Sequence, residues 1–170
     1  MKLLKRAYCR VFQCILHAAL PLLPYREPEI LNSVADVAPL CNSLHISSVL
    51  LVTDGGLRSA GATDKLETLL REAGIRCAVY DQTRANPTVE NAEQARTLYL
   101  SEKCEALIAF GGSSMDCAKA VGARIAYPKK DLYRLKGLLR VLRRIPTLIA
   151  IPTTADRPAS RRTIFSVTAV

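Results

Sequence analysis

The chain reads as an α/β protein, a Rossmann-like parallel sheet flanked by helices. Three observations predict this class. Four short β-rich runs, Ser48–Val52, Arg76–Tyr80, Ala106–Phe110 and Thr147–Ile151, have the length and composition of strands in a parallel sheet. Segments with apolar residues at helical spacing separate them, which implies βαβ units with right-handed crossovers. Each run also ends in turn-forming or small polar residues, at the strand ends where such sheets collect ligands.

The stretch from Ala106 to Gly122 organises the rest. Ala106–Phe110 is apolar, Gly111 and Gly112 break it, and Met115, Ala118, Val121 and Ile125 then recur at helical spacing. Ser113 or Ser114 is expected to cap this helix, with Asp116 favouring its positive first turn. Strand, small-residue turn and helix together expose backbone N–H groups at a helix N-terminus, where a phosphate can be held. The same sequence also serves as an ordinary turn.

Taken in order, residues 1–46 are expected to form an amphipathic N-terminal helical extension and linker, and residues 47–170 the α/β domain. Lys2, Arg6, Arg10, Gln13 and His17 fall on one helical stripe of the extension and Leu4, Val11, Ile15, Ala18 and Leu22 on another. That pattern is too short and too polar to span a bilayer. Pro21, Pro24 and Pro28 stop it, and a second short helix is expected between Glu27 and Leu44. After Ser48–Val52, Thr53-Asp54-Gly55-Gly56 reads as a turn. Leu66, Leu69, Leu70 and Ala73 mark a helix closed by Gly74. After Arg76–Tyr80, Asn86-Pro87-Thr88 leads into another helix, with Thr88 as its cap. Pro128 ends the helix after Ala106–Phe110, and Asp131 is expected to cap a short one through Leu139.

Composition bounds the function. In 170 residues, 49% hydrophobic, there is chain enough for one sizeable core. The net charge of +9 attracts anions, yet aromatics make up only 5%, which argues against base-stacking surfaces and against nucleic acid as a partner. The densest basic patches are Lys2 to Arg10 and the set Lys129, Lys130, Arg134, Lys136, Arg140, Arg143 and Arg144, for which a solvated face is the simplest account. Six cysteines, at 9, 14, 41, 77, 104 and 117, form no C-x-x-C pair, which favours reduced, buried thiols and a cytoplasmic setting. His17 and His45 are isolated, so no metal site is expected from this chain.

The rim candidates each admit two readings. Asp54, after the first parallel strand, can accept hydrogen bonds from ribose hydroxyls, or simply make a turn. Asn86 can clamp its own loop. Thr153 and Thr154 can donate to a phosphate or to a nicotinamide, or merely end a strand. Four connections from different strands place such chemistry on one rim. The chain has no G-x-G-x-x-G, no phosphate-loop G-x-x-x-x-G-K, no G-x-S-x-G elbow and no Cys–His pair, which excludes several nucleotide and acyl-transfer classes.

Together, Val52 to Leu57 (VTDGGL), Asn86 to Thr88 (NPT), Gly111 to Ala120 (GGSSMDCAKA) and Ile151 to Ala155 (IPTTA) resemble the N-terminal half of the iron-containing, group III alcohol dehydrogenase family, over about residues 47 to 155. The resemblance implies NAD binding by this domain, with Fe2+ or Zn2+ held in a separate helical C-terminal domain. It implies that Asp54 contacts the adenosine ribose, that Gly111, Gly112, Ser113 and Ser114 form the pyrophosphate loop, and that Asn86, Thr153 and Thr154 add contacts. It also implies oxidation of a small alcohol to an aldehyde or ketone, and a homo-oligomer. A carboxylate at Asp54 makes NADP the less favoured cofactor. Glycerol dehydrogenase and dehydroquinate synthase-like enzymes share the architecture, and a non-catalytic basic α/β binding module is the reading from another class.

Three departures from that family stand out. Its loop usually reads G-G-G-S-x-x-D, so this one is a glycine short, which is expected to shift the loop's N–H groups or to unwind Phe110 from its strand. After IPTTA the family continues A-G-T-G-S-E, whereas this chain has Asp156-Arg157-Pro158-Ala159-Ser160-Arg161-Arg162 before a strand-like Thr163 to Val170. The family's metal ligands, one Asp and three His, are expected beyond Val170, which makes the chain an apparently truncated member, inactive alone.

Overall fold

The computed structural model describes residues 10, 11, 13, 14, 29–137 and 140–153, and the backbone of 165–167. Of the N-terminal extension, residues 10, 11, 13 and 14 are helical and exposed, and the rest of the expected amphipathic helix lies outside the described residues. No helix among the described residues is long and apolar enough to cross a membrane.

The four predicted strands form with the predicted boundaries. After a short β1 (Glu29–Leu31), they are β2 (Ser48–Val52), β3 (Arg76–Tyr80), β4 (Ala106–Phe110) and β5 (Thr147–Ile151), followed by β6 (Phe165–Val167). The sheet order is β1-β6-β5-β4-β2-β3. Strands β2, β3, β4 and β5 are mutually parallel, with β3 at the sheet edge, and β6 runs antiparallel to both β5 and β1.

Where a single helix was expected between Glu27 and Leu44, the chain instead makes β1, a 3-10 turn at Val34–Asp36 and α1 (Val37–Ser43). Residues Glu29–Leu31 become strand because β6 pairs with them, a partner no local pattern reveals. Ser33 caps the turn, its side chain accepting from Ala35 N while Asp36 accepts from Ser33 N.

The remaining helices are α2 (Gly55–Ser59), α3 (Asp64–Glu72), α4 (Val89–Ser101), α5 (Gly112–Ala126) and α6 (Leu132–Leu135). Gly74 follows α3 with φ +74, the left-handed turn expected of it. Asp131 stands at the N-cap of α6 but makes no capping bond, and this helix closes at Leu135, short of the expected Leu139.

Side chains of β2 alternate between two apolar layers. Val49 and Leu51, with Ile108 and Ile149, pack under α1 and α3, whose Val37, Cys41, Leu66 and Leu70 close that layer. Leu50 and Val52, with Leu107 and Leu148, pack under Ala92, Ala95 and Tyr99 of α4 and Cys117, Ala118 and Val121 of α5. Each fully buried Leu or Ile contributes about 1.5–3 kcal/mol, so both faces must be covered for the sheet to persist. Cys41, Cys104 and Cys117 are buried free thiols, as expected, whereas Cys14 is exposed.

One topological consequence positions the site. From β2 the chain moves to β3 on one side, and the later strands β4 and β5 lie on the other. The carboxyl ends of β2 and β4 therefore flank the point where the winding reverses, which is where sheets of this kind form their ligand crevice.

Candidate functional site in the β2–β4 crevice

Asp54 leaves β2 at this crevice and caps α2. Its Oδ1 accepts the N–H groups of Gly56 and Leu57, each at 3.0 Å. The segment read as a turn is thus a short helix, because a carboxylate cap satisfies two of its orphan donors. Both bonds fall on Oδ1, and no hydrogen bond from the described residues reaches Oδ2.

Gly111 leaves β4 on the opposite side of the crevice. Its backbone is at φ 107 and ψ 159, a region essentially reserved for glycine. Its N–H donates to Ile151 O at 2.9 Å, which ties the loop to the end of β5. A β-carbon here would fall 2.8 Å from Leu57 Cδ1 and 3.5 Å from Asp54 Oδ2. The absence of a side chain is what lets the two loops close on each other.

Gly111 also serves as the N-cap of α5, so neither Ser113 nor Ser114 caps it. Both serines lie inside the first turn. The first intrahelical bond runs from Met115 N to Gly111 O, which leaves the N–H groups of Gly112, Ser113 and Ser114 for an outside acceptor. Asp116 sits in the second turn, exposed and 3.9 Å from Lys119, and contributes nothing to the first.

The two serines do different things. Ser113 Oγ donates to Ala85 O at 3.0 Å, latching α5 to the loop after β3. Ser114 Oγ is fully buried without a hydrogen-bond partner, as is Thr53 Oγ1 at the end of β2. Buried hydroxyls left unpaired cost free energy, and such atoms mark places where another acceptor is accommodated. Cys117, one turn further along α5, is held neutral, its thiol pushed up by burial to about 11.

Asn86 does not clamp its loop. It is exposed, and the clamp is Asn91, whose Nδ2 donates to Tyr80 Oη and to Gln82 O, each at 3.1 Å. Asn91 also completes a reciprocal cap with Thr88. The T-x-x-N spacing from Thr88 to Asn91 is the sequence signal for that clamp. Thr153 is half-buried two residues beyond Ile151, and Thr154 lies outside the described residues. Asp54, Gly111, Gly112, Ser113 and Ser114 thus gather at the crevice, with Thr153 following the strand end that bonds Gly111 and Asn86 on the exposed loop beside them.

The iron-containing alcohol dehydrogenase profile matches residues 31–169. The chain belongs to the iron-containing alcohol dehydrogenase family. It is 35% identical over 127 residues to the 1,3-propanediol dehydrogenase of Klebsiella pneumoniae, a match covering 73% of this chain and 33% of that protein. It is 40% identical over 116 residues to the choline dehydrogenase of Bacillus subtilis, covering 66% and 29%. Among solved structures, a 1,3-propanediol oxidoreductase superposes with a TM-score of 0.72 at 29% identity, covering 86% of this chain and 42% of that one. An alcohol dehydrogenase from Oenococcus oeni gives 0.67 at 26%, covering 79% and 38%. The chain spans about a third of the length of the curated relatives it matches.

Of the two consequences expected of the shorter glycine loop, the unwinding of Phe110 does not occur. Phe110 stays in β4, paired with Ile151 and 7% exposed, so the strand does not unwind. The loop simply starts at Gly111. The basic stretch 156–162 lies outside the described residues, and Phe165–Val167 is a strand as expected. Among the described residues no group of three or more His, Cys, Asp or Glu side chains is arranged to hold a metal ion. These residues do not supply the one Asp and three His of the family's metal set.

Proposed function

We propose that this chain forms the cofactor-binding part of an NAD-dependent alcohol oxidoreductase that interconverts a small alcohol and its aldehyde or ketone. One observation carries the reading. Asp54 Oδ2 and the bare backbone of Gly111 close on each other at the crevice, beside helix N–H groups that lack an internal acceptor.

The residues present fit a dinucleotide. The N–H groups of Gly112, Ser113 and Ser114 would donate to the pyrophosphate, reinforced by the helix dipole. Asp54 accepts from the adenosine ribose through Oδ2, while Oδ1 keeps its cap. Thr153 would donate its hydroxyl further along the rim, and Asn86 would close the other side. A carboxylate at Asp54 repels a 2′-phosphate, so NAD is favoured over NADP. NAD, when bound, accepts hydride from the alcohol carbon.

Relatives named as 1,3-propanediol, alcohol and methanol dehydrogenases support a small alcohol as the substrate class. Calorimetric titration of the chain with NAD, NADP and a short DNA duplex tests the reading. Saturable binding of NAD, tighter than NADP, is expected. Binding of the duplex alone would overturn it in favour of a basic binding module.

A further inference from the structure

Between α5 and β5 the chain concentrates seven cations, Lys129, Lys130, Arg134, Lys136, Arg140, Arg143 and Arg144, against a single carboxylate, Asp131. Among the described residues no salt bridge involves any of the seven. All seven are exposed.

These cations sit on a braced platform. Arg124 reaches from α5 with Nη1 donating to the carbonyls of Tyr127, Pro128 and Lys130, while its Nε holds Glu93 of α4. The Tyr127 hydroxyl accepts the N–H groups of Leu142 and Arg143, each at 3.1 Å. Lys130 Nζ lies 4.6 Å and Arg143 Cζ 5.1 Å from the Tyr127 ring centroid. One tyrosine thereby joins two separate stretches into one cationic surface. Leu142, beside it, is 55% exposed.

The surface faces away from the crevice. Helix α5 starts at the carboxyl end of β4 and runs back along the sheet, and its 15 residues outreach the five of a strand. Tyr127 to Lys130 therefore emerge at the amino-terminal end of the sheet, where β5 begins.

We propose that this surface adsorbs the protein to an anionic lipid bilayer, its exposed cations facing the headgroups while Leu142 enters the interfacial layer. The exposed leucine decides between polyanions. A nucleic-acid backbone gives cations their phosphates but leaves that side chain in water, and of the two aromatics in this stretch Tyr127 is already flanked by cations, so that Tyr133, 79% exposed, is the one ring left free to stack on a base. A bilayer interface accommodates both. Adsorbed this way, the protein keeps the β2–β4 crevice open to solvent on its far end.

Vesicle co-sedimentation of the full chain tests the proposal. Binding is expected to phosphatidylcholine vesicles with about 30% phosphatidylserine and not to phosphatidylcholine alone, falling steeply as salt rises from about 0.05 to 0.5 M. The triple variant Lys130→Glu, Arg143→Glu, Arg144→Glu should weaken partitioning by about a hundredfold or more, at roughly fivefold per cation removed. Leu142→Ser should weaken it by about tenfold with the salt dependence unchanged. Circular dichroism of both variants checks that the fold survives. No binding to anionic vesicles, binding indifferent to the triple reversal, or retention by duplex DNA without retention by vesicles would each overturn it.

Discussion

Gly111 and Asp54 approach each other so closely across the β2–β4 crevice that a β-carbon on Gly111 would lie 3.5 Å from Asp54 Oδ2. The same β-carbon would lie 2.8 Å from Leu57 Cδ1, on the helix that Asp54 caps. Two loops from neighbouring strands are thus fitted to each other through one glycine.

Gly111→Ala should destabilise the chain by about 1–3 kcal/mol and abolish NAD binding, because φ 107 disfavours any side chain and the methyl meets Leu57. Adding Leu57→Ala should relieve the contact but not the backbone strain. Urea unfolding of both variants, read beside NAD titration, separates the two contributions. Wild-type stability in Gly111→Ala would contradict the backbone argument.

Asp54 has two jobs that different substitutions separate. Asp54→Ala removes the cap of α2 and should cost about 0.5–2 kcal/mol. Asp54→Asn keeps a capping oxygen, so stability should change by less than about 0.5 kcal/mol. Its lost charge should narrow the preference for NAD over NADP. Titration of Asp54→Asn with both cofactors checks this, and an unchanged ratio would show that the carboxylate does not set the choice.

Burial raises the thiols of Cys41 and Cys117 from 9.0 to about 11, and that of Cys77 to about 12. The folded state therefore holds these protons where the unfolded chain has released them. Their stabilisation is complete below pH 9 and is lost as pH rises through 11 to 12. Unfolding midpoints measured under reducing conditions should fall across that window, and Cys117→Ala should flatten the decline.

Glu93 is held below the ordinary carboxylate value, chiefly by its hydrogen bond from Arg124. A lowered folded pKa means that this stabilisation is present above about pH 4.5 and is lost as pH falls through the folded value. Arg124→Met should reduce that acid dependence, leaving the part due to Arg96, and cost about 1–3 kcal/mol, since three carbonyls lose their donor. Unfolding measured at pH 7 and at pH 4 reads both effects.

The purified chain, supplied with Fe2+ or Zn2+, should bind NAD yet produce no NADH from simple alcohols. The sequence holds two histidines, and the described residues gather no metal-binding group. Sustained NADH formation under these conditions would refute the expectation.

The backbone frame was legible because it rests on local pattern. Ser48–Val52, Arg76–Tyr80, Ala106–Phe110 and Thr147–Ile151 are apolar or β-branched over a strand's length and are bounded by breakers, and Thr88 signals its helix start by its own chemistry. The motifs around Asp54 and Gly111 likewise sit at the strand ends where they were read. Other features depended on partners distant in the chain. Glu29–Leu31 is a strand only because β6 lies beside it. Asn91 replaces Asn86 as the clamp because Tyr80 and Gln82 come within its reach.

Sequence alone determined the fold class, the four parallel strands and the rim that carries the candidate residues, since hydrophobic periodicity and turn chemistry act over a few residues. The tertiary structure alone decided how those residues meet: Asp54 spending one oxygen on a cap, Gly111 taking a cap role assigned to serine, Ser113 latching a neighbouring loop, and Tyr127 joining two basic stretches. Such contacts follow from which strands lie side by side and how closely their loops pack, and neither quantity is written in local spacing.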